Sequence, residues 1–154
     1  MLPLLIILTV GIGYAYLTKH KASAEARNKA LAEMKAGSFK DDRKFTTRYN
    51  EFVINQNKAL EVFDDTLATP EVMKQKLTEI SLPEWNKAEG IAKEMQAMEL
   101  GPEKQKKAAA VMDYVHLRKA EIEAAKLVLS GEPAGLQQLD SIRGKINIVA
   151  QSLQ

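Results

Sequence analysis

The side chains that could do chemistry are few and scattered. The sequence has two histidines, His20 and His116, and no cysteine. Without thiols there is no disulfide, no thiolate nucleophile, no cysteine-ligated zinc or iron–sulfur cluster and no covalent c-type haem. His116 sits in Val115-His116-Leu117-Arg118, with neither Glu nor His at the spacing of a zinc-binding helix. It reads as a surface or packed histidine. The carboxylates are more numerous and no sharper. Asp41-Asp42 and Asp64-Asp65 are adjacent pairs, and neighbouring residues on a helix diverge by about 100°, so neither pair converges for acid–base work. Asp41-Asp42 complements the start of a helix, whereas Asp64-Asp65 runs against the dipole near a helix end, which makes it a candidate contact or ion site. Glu121-Ile122-Glu123 lacks the Glu-x-x-His partners of a di-iron bundle. No calcium loop, phosphate-binding loop, nucleophile elbow or Ser/His/Asp set can be assembled. The expectation is no catalytic residue, no metal ligand and no cofactor.

Two features offer binding rather than catalysis. Lys104-Gln105-Lys106-Lys107 is a short basic cluster, and Trp85 is the only tryptophan. Lys104, Lys106, Lys107 and Trp85 are therefore candidate interaction residues; the competing roles are a solvated helix face for the lysines and a packing anchor for the indole. Nucleic acid is not an expected partner, because residues 45–154 carry fourteen Lys/Arg against sixteen Asp/Glu. Nothing suggests a small-molecule substrate.

The strongest signal concerns location. Residues 2–17, LPLLIILTVGIGYAYL, carry no charge, and Lys19, His20 and Lys21 follow at once. As a helix this run reaches about 24 Å, close to the roughly 30 Å of bilayer hydrocarbon. Lysine stems can snorkel to make up the difference, and Tyr14 and Tyr16 fall at the headgroup level. Gly11 and Ala15 form a small-xxx-small pair suited to packing on another membrane helix. A retained single-pass anchor accounts best for these features. Ala22-Ser23-Ala24 has the form of a signal-peptide cleavage site, but no basic residue precedes the apolar run and charge intervenes before the cut. The third reading buries the run in the core of an oligomer or filament.

Orientation follows from Lys19, Lys21, Arg27 and Lys29, all on the carboxyl-terminal flank. The positive-inside rule then puts the amino terminus outside and the rest of the chain in the cytoplasm; the reverse topology would place it in a periplasm or outside the cell. Residues 18–44 hold eight Lys/Arg against four Asp/Glu, a basic stretch that can also meet anionic lipid headgroups.

The remaining elements must be helices. Residues 19–36 are rich in Ala, Lys, Glu, Leu and Met and extend the anchor as a stalk until Gly37. A helix over 41–66 presents Phe45, Tyr49, Phe52, Leu60, Phe63 and Leu67 on one face. Thr69-Pro70 starts a short helix to about Ile80, and Ser81-Leu82-Pro83-Glu84 has the capping-box form that opens the next, through Glu99. Gly101-Pro102 and Gly131-Glu132-Pro133 separate helices over 103–129 and 134–153, the last presenting Leu136, Leu139, Ile142, Ile146, Val149 and Leu153. The fold expected is all-α: a transmembrane anchor (1–18), a basic helical stalk (19–37), and an antiparallel bundle (38–154) of about five helices, three long and two short, with 70–99 forming a helical hairpin.

These features predict a non-enzymatic, membrane-anchored scaffold or accessory subunit of a membrane complex. Its partners would be the lipid bilayer and either other membrane subunits or further copies of itself. A self-assembling structural subunit and a secreted or periplasmic bundle released near Ala24 are the alternatives. A helical sensor or cofactor-binding bundle is a third class, which a visible absorption spectrum would reveal.

Overall fold

The computed structural model describes residues 40–153. All described residues belong to one compact unit, Lys40–Gln154. The anchor and stalk, with Gly11, Ala15, Lys19, Lys21, Arg27 and Lys29, lie outside the described residues. Among the described residues no helix is long and apolar enough to cross a membrane.

Five α-helical segments form this unit: α1 (Asp42–Leu60), α2 (Pro70–Lys76), α3 (Leu82–Gln96), α4 (Pro102–Leu129) and α5 (Pro133–Gln151). No strand interrupts them among the described residues. The expected hairpin over 70–99 is absent. A π-helical turn, Leu77–Ser81, joins α2 to α3 without a break, so 70–96 is one rod and the bundle has four helices. Pro83 explains the wide turn. In a regular α-helix its ring would crowd the carbonyl of Glu79, and it has no N–H to return. The π turn takes in one extra residue, with the Leu82 N–H donating to Leu77 O. Ser81 therefore caps nothing: its backbone is helical, and its buried hydroxyl donates to Ala59 O at 2.8 Å, tying the rod to the end of α1. The Ser-x-x-Glu pattern is present, but the chain is already helical when it arrives.

The other punctuation works as its chemistry predicts. Thr69 Oγ1 accepts from the Val72 N–H, with Pro70 in the first turn of α2. The α4–α5 turn is a Schellman motif: Gly131, at φ 78°, donates to Val128 O, and the Glu132 N–H donates to Leu127 O. Four residues later the α5 backbone crosses close to α4. A Cβ on Gly135 would lie 2.8 Å from Val128 N. At the start of α1, the Asp41 carboxylate accepts from the Glu99 N–H at 3.0 Å, and Asp42 pairs with Lys104 at 2.9 Å. The acidic pair thus staples α1 to the α3–α4 turn rather than capping its own helix.

Cross-helix pairs set the directions. Arg48 meets Glu94, Lys119 meets Glu89 and Arg143 meets Glu121, so consecutive rods run up, down, up, down. Phe52, Leu77, Trp85, Met95, Val111 and Ile122 form the centre of the core, each at most 1% exposed. Burying a side chain of this size contributes roughly 1.5–3 kcal/mol.

Candidate functional site

The residues worth examining lie where α4, α5 and the end of α1 meet. The i, i+4, i+7 spacing of a helix puts Tyr114, Arg118 and Glu121 on one stripe of α4. Tyr114 is buried, with Phe52 and Trp85 edge-on to its ring at centroid distances of 6.3 and 5.9 Å. Its Oη accepts from Arg118 Nε (3.0 Å) and Nη2 (2.9 Å). Arg118 Nη1 donates to Glu121 Oε2 at 2.7 Å, and Arg143 Nε reaches across from α5 to Glu121 Oε1 at 3.0 Å. Each oxygen of this carboxylate, itself only 5% exposed, holds one guanidinium.

Burial alone would lower the Arg118 pKa. Its hydrogen bonds to Glu121 and Tyr114 outweigh that and leave it raised, so the cation is fixed. The two arginines differ in what they have left to give. Arg118 uses Nε, Nη1 and Nη2 within this network. Arg143 uses Nε alone, and its two terminal nitrogens have no partner among the described residues.

An open cleft of about 490 Å³ lies above this network. Arg118, Glu121 and Arg143 line it with Leu60, Phe63, Asp64, Ile146 and Asn147. Asp64 and Phe63 reach the cleft because α1 tightens into a 3-10 turn, Glu61–Asp64, instead of running on to Thr66. This also corrects the expected apolar face of the first helix. Phe45 and Phe52 are buried, but Phe63 is 37% and Leu67 92% exposed. Asp65, past the helix end, accepts from Lys76 and from the Leu67 N–H, which together lower its pKa.

The interaction candidates from the sequence separate. Trp85 is 1% exposed and packs on Tyr114, so a partner cannot touch it; it is a core anchor. The basic cluster splits between two faces: Lys104 and Lys107, three apart, both turn towards α1, and Lys106 turns away. Lys104 pairs with Asp42, Lys107 Nζ sits 4.4 Å from the centroid of the Tyr49 ring, and Lys106 is exposed. His116 lines a second, more apolar cavity of about 420 Å³ with Asp113, Leu117, Lys145, Ile148 and Val149. Among the described residues no group of three His, Cys, Asp or Glu side chains could hold a metal. The Glu121 network is missed when Glu121 is weighed only as a metal ligand. The signal available was the Tyr-x3-Arg-x2-Glu stripe, polar residues on the inward face of a long helix.

Comparison with known proteins returns no match: no family model, curated protein or solved structure aligns with the chain.

Proposed function

We propose that this chain is a non-enzymatic, single-pass membrane-anchored protein whose helical bundle serves as an accessory or scaffolding subunit of a membrane complex. The observation that carries the reading is the uncharged run 2–17 with its immediate basic flank. The bundle's part is to present a surface. The Arg143 cleft supports this, because its lining includes a large apolar side chain left partly in solvent, Phe63 (37% exposed). The basic flank supports a cytoplasmic position for the bundle.

Photocrosslinking tests the reading. A photoreactive amino acid replaces Phe63 or Asn147 at the cleft, or Lys44 at an exposed site near the start of α1, in the full-length chain in its own cells. The proposal expects one defined adduct with another membrane-complex protein from the first two positions and none from the third. Adducts only with a second copy of the chain would favour self-assembly. No adduct at any position, with the chain recovered as free monomer, would reject a docking role.

A further inference from the structure

We propose that the Arg143 cleft receives an acidic side chain, Asp or Glu, carried on a partner protein beside an apolar residue. The inference rests on the docking role above and deepens it by assigning the chemistry of contact. Arg143 is the residue that carries it. Its Nε is tied to Glu121, which is itself held by Arg118, so the guanidinium is oriented by a buried carboxylate rather than left free. The remaining edge, Nη1 and Nη2, is the fork that grips a carboxylate through two parallel hydrogen bonds. Glu121 serves as the orienting group and its own oxygens are occupied, so it leaves the fork for an outside anion.

The surroundings choose among anions. Arg118 and Arg143 bring two positive charges to the cleft, and Glu121 and Asp64 two negative ones. A dianion such as a phosphate monoester would find no excess of positive charge and would face Asp64. A single carboxylate needs only the unoccupied fork. The cleft wall adds Leu60, Phe63 and Ile146. On α5, Leu136, Leu139, Arg143 and Ile146 follow spacings of three and four, so exposed Leu136 falls on the same helical stripe as the arginine. An acid next to an apolar side chain matches both halves of this surface.

The openness of the site chooses the carrier. A small-molecule pocket encloses about 70–90% of its ligand, whereas this cleft opens to solvent beside Phe63 and Asn147, both exposed. A side chain delivered by a protein brings its own surface to close the site and to cover those residues. Excluding water in that way also strengthens the Arg143–carboxylate contact.

The test uses the full-length chain in lipid nanodiscs, panned against a displayed library of random peptides. Expected are enriched peptides with Asp or Glu adjacent to Leu, Ile or Phe. A synthetic copy of an enriched peptide should bind at least tenfold more weakly when its acid becomes the amide, and as weakly to Arg143→Gln. Arg143→Lys, which keeps the charge and loses the fork, should recover little of the loss, and Lys44→Gln, at an exposed position near the start of α1, should bind as the parent does. Arg143 has a half-exposed side chain, so circular dichroism of Arg143→Gln should show an intact bundle. Enriched peptides without an acid, equal binding by Arg143→Gln, or no enrichment would overturn the proposal. Displacement of the peptide by micromolar hexanoate would also overturn it, by naming a small carboxylate as the occupant. A Phe63 photoadduct that survives Arg143→Gln would sink this inference and leave the docking role standing.

Discussion

Replacing Glu121 by Gln asks whether one buried carboxylate organises the cleft. The amide fills the same volume, so packing is retained and the loss is electrostatic. Two contacts change. The 2.7 Å bond from Arg118, whose side chain is 21% exposed, is charge-assisted and partly sheltered, and such bonds contribute about 1.5–3 kcal/mol. The 3.0 Å bond from Arg143 involves a side chain 55% exposed, where solvent reduces an ion pair to roughly 0.2–1 kcal/mol. Together they predict a destabilisation of about 2–3 kcal/mol. For a domain of this size each kcal/mol moves Tm by about 4 °C, giving a fall on the order of 10 °C. Thermal and urea unfolding of the full-length chain in detergent, followed by circular dichroism, would measure it. A double-mutant cycle then apportions it: coupling to Arg118 should be about 2 kcal/mol, and coupling to Arg143 below about 1. A fall under about 2 °C, or equal couplings, would refute the claim that the network is built on the Arg118–Glu121 pair.

The fold makes further predictions. Gly135→Ala should destabilise by about 1–3 kcal/mol, because the new methyl meets the α4 backbone at Val128, whereas Gly144→Ala, with nothing within 4 Å, should stabilise by up to about 1 kcal/mol; thermal unfolding of the two variants checks the contrast. Trp85→Ala empties the centre of the core and should cost about 3–5 kcal/mol, read from the urea midpoint. Glu89 is held down to about 2, chiefly by its hydrogen bond from Lys119 and then by that from Lys93. A lowered carboxylate pKa stabilises the fold above the unfolded value. That contribution, about 1 kcal/mol after solvent screening, is lost as pH falls from about 4.5 towards 2. Tm against pH should therefore drop more steeply for the parent than for Glu89→Gln across that window.

Much of the bundle could be read from residue order. Thr69-Pro70, Gly101-Pro102 and Gly131-Glu132-Pro133 mark the starts of α2, α4 and α5 within a residue, because proline, glycine and a capping hydroxyl act through local geometry that packing seldom overrides. The exceptions have local causes with long-range solutions. Ser81-Leu82-Pro83-Glu84 carries a start signal, yet a π turn lets the helix pass through it, and the Ser81 hydroxyl finds Ala59 instead of a cap. Phe63 and Leu67 continue the apolar period of α1, but the 3-10 turn at Glu61–Asp64 breaks the period and leaves them in solvent. The candidate site was less legible. Arg118 and Glu121 are three apart on one helix, a spacing that permits pairing but does not by itself mark a site. Arg143 is twenty-two residues further along and joins them only once α5 folds back on α4. Lys104 and Lys107 look like a surface cluster until Asp42 and Tyr49 from another helix take them up.

Residues 2–17 are proposed to hold this bundle to a membrane on its cytoplasmic side. Protease protection of a carboxyl-terminally tagged chain, in sealed vesicles of known orientation and with the amino terminus sequenced, tests it most directly. The account predicts an uncut Met1 and membrane retention through alkaline extraction, with the tag digested only when the cytoplasmic face is exposed. A tag protected on that face, or a new amino terminus beyond Ala24 with the bundle released into solution, would contradict it.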